Sequence, residues 1–405
     1  MNNSQVLPED IRPPLPPGPI KWIRDNLFNS WFNTLLTVVL LPFIFFTLVG
    51  AIRWVFTTAQ WDAVYNFPLL YTVGQYPRQE LWRVGISLSF MMFLLGASWG
   101  KWNGLLRSIG ITFAIIFGIF AVFPVAHSAL TVGMRFYLGS NVLLILIGSR
   151  IGKLTTVWRS HIVIGWTIVP VLTIILLTGF ENITALPRVA TTLWGGLLVT
   201  FLLSAGGILL SFPIGVALAL GRRSTLPVVK VFSTVFIETI RGVPLITILF
   251  MFSIILALFL PEESRIDRLI RALMAVTFFS AAYSAENVRG GLQAVPSGQI
   301  EAAKAVGMNG FQTMVFIVLP QALRAVLPAI VGQFIALFKD TTLVVIVGIN
   351  DLLGIGRSII NSDPAYVQQQ LEVYLFIAVI YWIFSYLMSL ASRRLEAALG
   401  VQSNL

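Results

Sequence analysis

The stretch "WFNTLLTVVLLPFIFFTLVGA", residues 31–51, carries no charged side chain. A helix of about 20 mostly apolar residues is what the hydrocarbon core of a bilayer accepts. The pattern recurs at 83–99, 108–126, 136–149, 161–179, 194–220, 232–260, 270–290, 323–349 and 371–391, of which 136–149 is the shortest. Only 11% of the residues are charged, against about 25% in a soluble domain. The expected fold is therefore an all-α polytopic membrane protein with about ten transmembrane helices.

Basic residues fix an orientation. Lys21 and Arg24 precede the first span, Lys101 and Arg107 follow the second, and Arg150, Lys153 and Arg159 follow the fourth. Arg222, Arg223 and Lys230 follow the sixth, and Arg393 and Arg394 follow the last. All fall on one side if every candidate crosses, which the positive-inside rule makes the cytoplasmic side, with both termini inside. Without the span at 136–149 the clusters would lie on opposite sides. Arg53, Arg78 and Arg83 run against the pattern, whereas Trp54, Trp61, Tyr65, Tyr71, Tyr76 and Trp82 suit an interfacial belt. The net charge of +10 is read as loop bias rather than as a nucleic-acid surface. No cleavable signal is expected, since the first 30 residues are polar; "RPPLPPGP" at 12–19 reads as a stiff cytoplasmic tether.

Several chemistries are excluded. The chain has no cysteine and two histidines, His127 and His161, so neither a disulfide framework nor a Cys- or His-rich metal site is expected. His127 reads as an interfacial residue. "GSRIGKLTT" at 148–156 hints at a phosphate loop, but three residues separate its glycines and Leu154 stands where Ser or Thr is required. No hydrolase or kinase signature appears. The chain is not expected to be an enzyme, and no cofactor is implied.

Polar residues inside spans are concentrated after residue 189. Charges there are costly and either pair or line a cavity. In "AAYSAENVRGG" at 281–291, Glu286 and Asn287 approach the inner half of a span; Glu286 suits a substrate ammonium group or a pairing with Arg289. Lys339 and Asp340 lie deep in 323–349. Adjacent helical residues do not face each other, so each needs another partner: a second subunit, the substrate or a structural network. Glu238 and Arg241 stand at i, i+3 and suit a local ion pair, followed by Gly242 and Pro244 as a break that offers a gating bend.

The stretch "EAAKAVGMNGFQTMVFIVLPQA" at 301–322 lies between two spans yet is too polar to cross. "EAAKAV" favours helix, Gly307 ends it, "MNG" supplies turn chemistry, and "FQTMVFIVLPQ" resumes as an amphipathic helix. An ordinary interfacial helix would also account for it. The combination Glu301-Ala302-Ala303, Gly307 and Ile317-Val318-Leu319-Pro320 resembles the EAA loop of ABC-importer permeases. The resemblance covers about 189–395, including "WGGLLVTFLLSAGGILLSFPIGVALALGRRS" at 194–224, "ETIRGVPLI" at 238–246 and "LPQALRAVLPAIVGQFIALFKDTTLV" at 319–344. These are similar to the polar amino-acid uptake branch, and the longer first half resembles the long permeases of general L-amino-acid transporters.

The resemblance implies a C-terminal five-helix type I importer permease core at 189–397, with a coupling loop at 298–322 that docks on an ATPase. It follows a proline-rich tail at 1–30 and a transmembrane extension at 31–188, and precedes a tail at 398–405. The implied partners are ATPase subunits, a second permease (a different one in a heteromeric pair, or a second copy), a periplasmic binding protein, an amino-acid substrate and membrane lipid, with no nucleic acid. The implied location is a bacterial inner membrane. It assigns no functional residue in 1–180. An ion-coupled secondary amino-acid transporter, with Glu286 and Asp340 in a relay, is the alternative; it has no need of an ATPase dock. A non-transporting scaffold fits the clustered polar residues less well.

Overall fold

The computed structural model describes residues 18–122, 132–154, 159–261 and 266–399. His127, the chain before residue 18 and the tail after 399 lie outside the described residues. Among the described residues the regular elements are all helical, joined by three isolated β-bridges. Contacts divide the chain into two units, residues 1–60 and 61–405.

The first unit holds α1 (Pro19–Leu27) and α2 (Trp31–Thr57). On α1, Ile20, Ile23 and Leu27 share one face and Lys21 and Asp25 the other, the amphipathic pattern of an interfacial helix. The Thr37 hydroxyl donates to the Leu27 carbonyl (2.9 Å) across the corner, and Ser30 caps α2 by accepting from Asn33 N–H (3.2 Å). No residue of α2 is buried by protein, as a lipid-facing span requires.

The second unit begins with the short helices α3 (Asp62–Tyr65) and α4 (Pro68–Val73), then α5 (Leu81–Trp102), α6 (Gly104–Val122), α7 (Val132–Lys153) and α8 (Arg159–Thr178). α5 and α7 approach very closely. A Cβ on Gly96 or Gly100 would lie 2.2 Å from a carbonyl oxygen of α7, and one on Gly148 or Gly152 within 2.4 Å of an α5 carbonyl oxygen. Each helix thus presents glycines four residues apart to the other, the small-residue seam by which membrane helices associate. The glycines of "GSRIGK" are packing glycines.

The remaining helices are α9 (Gly196–Arg222), α10 (Pro227–Arg241), α11 (Leu245–Phe250), α12 (Leu256–Phe259), α13 (Arg268–Ala294), α14 (Ser297–Ala305), α15 (Gly310–Gln312), α16 (Leu319–Asp340), α17 (Leu352–Ile360), α18 (Pro364–Val367) and α19 (Gln370–Leu399). α13 packs along α9, α16 and α10. Of the ten expected spans, eight are helices long and apolar enough to cross, including the one at 132–153. The 232–260 candidate is a pair of helices bent by 110° at Gly242–Pro244, which counts as a ninth if it crosses as one. The 270–290 candidate is α13, long enough but too polar to be counted by composition. The bend follows from Pro244, which disfavours α conformation at Val243 and begins α11; Gly242 itself has an ordinary helical φ of −76°.

α17 starts at a buried carboxylate. Asp351 is fully buried and accepts from Gly354 N–H (2.8 Å) as the N-cap and from the Tyr381 hydroxyl (3.1 Å) of α19. Burial pushes its carboxyl up from 3.8 to about 6, against the lowering effect of the Gly354 and Tyr381 hydrogen bonds and of nearby Arg357. The folded state therefore binds this proton more tightly than the unfolded chain. The resulting stabilisation is complete below the unfolded value and is lost as pH rises through about 6. Asp351→Asn keeps a capping oxygen but does not titrate. Thermal unfolding in detergent across this range is expected to show a flatter pH profile for the variant than for the parent.

Candidate coupling and translocation site

The 298–322 segment forms an elbow whose geometry is local. α14 ends in a Schellman motif: Met308 N–H donates to the Ala303 carbonyl (3.1 Å) and Gly307 N–H to that of Lys304 (3.0 Å). Gly307 takes the left-handed conformation this needs, φ +85°, with nothing within 4 Å of where a Cβ would sit. Conformation, not crowding, demands the glycine. Asn309 then opens the next helix with a reciprocal capping box, accepting from Gln312 N–H (2.8 Å) while its own N–H donates to the Gln312 side chain (3.0 Å).

From Gly310 the helix runs on to Asp340 through a wide π turn at 313–318. Pro320 follows that turn; it lacks an N–H, and its ring crowds the carbonyl four residues back, so the turn widens before it. The continuous helical stretch 310–347 has 38 residues, on the order of 55 Å, against about 30 Å of hydrocarbon. Its surplus length is taken up by tilt or by turns outside the hydrocarbon. Ala303 is buried and anchors α14, whereas Glu301, Ala302, Gly307 and Pro320 are exposed, as are Val306 and Phe311.

A charged cluster lies where α9 and α10 end against α13. Glu286 accepts from Arg289 Nε at 2.9 and 3.0 Å and from its Nη2, and lies 3.5 Å from Arg222 Nη1 and 3.6 Å from Arg241 Nη1. The second carboxylate, Glu238, pairs with Arg222 Nη2 at 2.8 Å. The expected Glu238–Arg241 pair is thus corrected: each binds across helices, Glu238 to α9 and Arg241 to α13. Glu238 meets Arg222 of α9 and Arg241 meets Glu286 of α13, while the i, i+3 pair in this cluster is Glu286–Arg289. Arg241 also stacks over the Tyr283 ring at 5.6 Å. Three guanidinium groups face two carboxylates, which leaves one positive charge over.

Asn287 Nδ2 donates to Gln333 Oε1 (2.9 Å), and Gln333 Nε2 donates to the Ser280 carbonyl (2.6 Å), an amide ladder joining α13 and α16. Lys339 is exposed and Asp340 partly so; no hydrogen bond or ion pair brings either into the Glu286 cluster among the described residues. The site thus unites Glu286, Glu238 and Arg241, and leaves Lys339 and Asp340 apart. Arg222 and Gln333 were missed from the sequence: Arg222 counted only as a topology marker, and Gln333 lay unremarked inside an apolar run.

Residues 211–401 match the family of the binding-protein-dependent transport system inner membrane component. The chain is 35% identical to the inner membrane amino-acid ABC transporter permease YhdY of Escherichia coli K12, over 93% of this chain and 91% of that one. The chain belongs to the permeases of amino-acid ABC transporters. It is also 34% identical to the glutamate/glutamine/aspartate/asparagine transport system permease BztC of Rhodobacter capsulatus, over 94% of each. A crystal structure of an amino acid ABC transporter with histidines shares 32% identity over 49% of this chain and 92% of its own, with a TM-score of 0.44. The permease is a multi-pass inner-membrane subunit of an amino-acid importer, within a binding-protein-dependent system that includes an ATPase and a binding protein. ATP hydrolysis takes place in the separate ATPase subunit. The ion-coupled carrier reading is set aside.

The cluster makes a stability prediction. Glu286→Gln leaves three arginines facing one another without their shared acceptor. Hydrogen bonds to charged groups are worth about 1.5–3 kcal/mol each, discounted here because every member is partly exposed. The variant is expected to unfold at a lower temperature in detergent, and the loss should shrink when Arg289→Gln is added.

Proposed function

We propose that residues 298–322 are the surface through which this permease is driven by its ATPase. The observation that carries the reading is the elbow: two capped helical turns set at an angle, on a helix too long for the bilayer, with Glu301, Val306 and Phe311 turned to solvent. An ATPase cleft that changes width on binding and hydrolysing ATP moves this elbow, and the rigid helix behind it carries the motion into the core. Each state is selected by contacts that differ between them. The positive-inside pattern supports cytoplasmic N- and C-termini, which puts the elbow on the ATPase side.

The core at 189–397 forms one wall of the translocation path, and a second permease forms the other. The long extension supports a heteromeric pair. The substrate named for BztC makes acidic amino acids and their amides the first class to assay. Glu286 is already neutralised by arginines, which favours a role in holding the inner ends of α9, α10 and α13 together over direct contact with a substrate ammonium group. Lys339 and Asp340 remain available to the second permease or to a zwitterionic substrate.

Gly307→Pro blocks the left-handed conformation, and Glu301→Lys reverses a charge at the exposed face. Both are expected to cut ATP-driven uptake by about tenfold or more while the permease stays in the membrane at parental levels and co-purifies with less ATPase. Parental uptake in both variants would reduce the segment to an ordinary interfacial helix.

A further inference from the structure

We propose that residues 61–76, which precede the core and lie outside its family match, are a strap that keeps α9, α17 and α19 a single body throughout transport. The strap sits at the end of the core opposite the elbow: Tyr71 is buried in one cluster with Phe338, at the end of the 22-residue α16 furthest from the elbow. Its contacts are specific. Ala63 N–H donates to Gln369 Oε1 (2.8 Å) at the start of α19, and Asn66 Nδ2 reaches the Tyr366 hydroxyl (3.4 Å). Phe67 meets the Tyr366 ring edge-on at 5.6 Å, and Tyr71 meets Phe376 of α19 at 5.0 Å. Gly195 N–H donates to the Val73 carbonyl (3.3 Å), beside a bridge between Gly74 and Trp194.

Gly196 records how close the strap lies. Its φ is +62°, and a Cβ there would stand 2.2 Å from the Tyr71 carbonyl oxygen. From the same residue the backbone continues to α17: Gly196 N–H donates to the Asn350 carbonyl (3.0 Å), and Leu352 N–H donates to Thr200 Oγ1 (3.1 Å). Ala63, Val64 and Tyr71 are buried in one apolar cluster with Leu352, Ile355 and Ile377. Opening any of these contacts during a cycle would expose buried apolar surface and unpair backbone groups together.

The far end of the strap is fixed as well. The Tyr76 hydroxyl donates to the Leu177 carbonyl at the end of α8 (2.9 Å). Arg83, fully buried, pairs with Glu80 (2.9 Å) and donates to the Pro187 carbonyl (2.8 Å). The bundle of α5–α8 is thereby tied to the three strapped helices.

The chain contains no cysteine, so paired cysteines report without background. Ala63→Cys with Gln369→Cys, assembled with the second permease, ATPase and binding protein in proteoliposomes, is treated with a short bis-methanethiosulfonate reagent. Efficient cross-linking is expected, with uptake within about twofold of that after reduction. Failure to cross-link, or uptake that falls about tenfold and returns on reduction, would overturn the proposal, because the strap would then be apart or would have to open. As a second arm, Tyr71→Ala with Gln369→Ala is expected to make 61–76 sensitive to protease and to depress uptake with ATPase association unchanged. Parental protease resistance and uptake in that variant would also overturn it. Each outcome is separable from failure of the elbow reading, which alters ATPase association.

Discussion

A helix bearing Arg271, Glu286, Asn287 and Arg289 has no stable place against lipid, and the arrangement of the core follows from that. Unpaired charge in hydrocarbon is expensive, so α13 is enclosed by α9, α10 and α16. Enclosure needs room, and small residues provide it. A Cβ on Gly215 of α9 would lie 2.6 Å from the Ser284 side chain, and one on Gly291 would lie 2.4 Å from the Ala322 carbonyl oxygen of α16. The helices approach to backbone contact along both seams. Once they have done so, the polar side chains of α13 find their partners on the helices that enclose them.

Those partners alternate along α13. Glu286 and Arg289 join an ionic group of arginines and carboxylates that remain a quarter to a half exposed. Asn287, between them, turns to a neutral contact with Gln333, whose amide continues to the Ser280 carbonyl. The ionic group stays where water still reaches it, and the buried Arg271 donates to the Ser253 carbonyl. Arginine suits the ionic group because one planar guanidinium can serve two acceptors, as Arg222 does for Glu238 and Glu286. Three helices are joined through that one side chain.

Much of this was legible in the sequence wherever the information is local. Apolar length marked the helices, the glycine–turn–helix order marked the elbow, and Pro244 marked the break. The Schellman closure at Gly307 is set by residues within a turn of it. The rest depends on pairs remote in the chain. Glu238 and Arg241 fit the i, i+3 rule, yet their partners lie on other helices, and nothing in the spacing of Arg222 announces two carboxylates. Glycines four apart at 148 and 152 look alike whether they cradle a phosphate or admit a neighbouring helix, and only the position of α5 decides. Ala63 and Gln369 are joined through a side-chain amide, with no periodicity to connect them. The apolar pattern that located the spans says nothing about which loop folds back onto which helix.

The bend and the long helix have complementary mechanical consequences. From Gly310 to Asp340 the backbone is helical without a break, and a helix transmits displacement along its axis with little loss. Between Arg241 and Leu245 the helical hydrogen bonds are interrupted, so α10 and α11 can change angle while preserving their internal bonds. Arg241 stands at this joint and reaches Glu286 on α13. Asn287 meets Gln333 of α16, and Glu286, one residue earlier on α13, meets Arg241 at the joint. The same helix that must be enclosed because of its charges is therefore the one in contact with both the long helix and the bend.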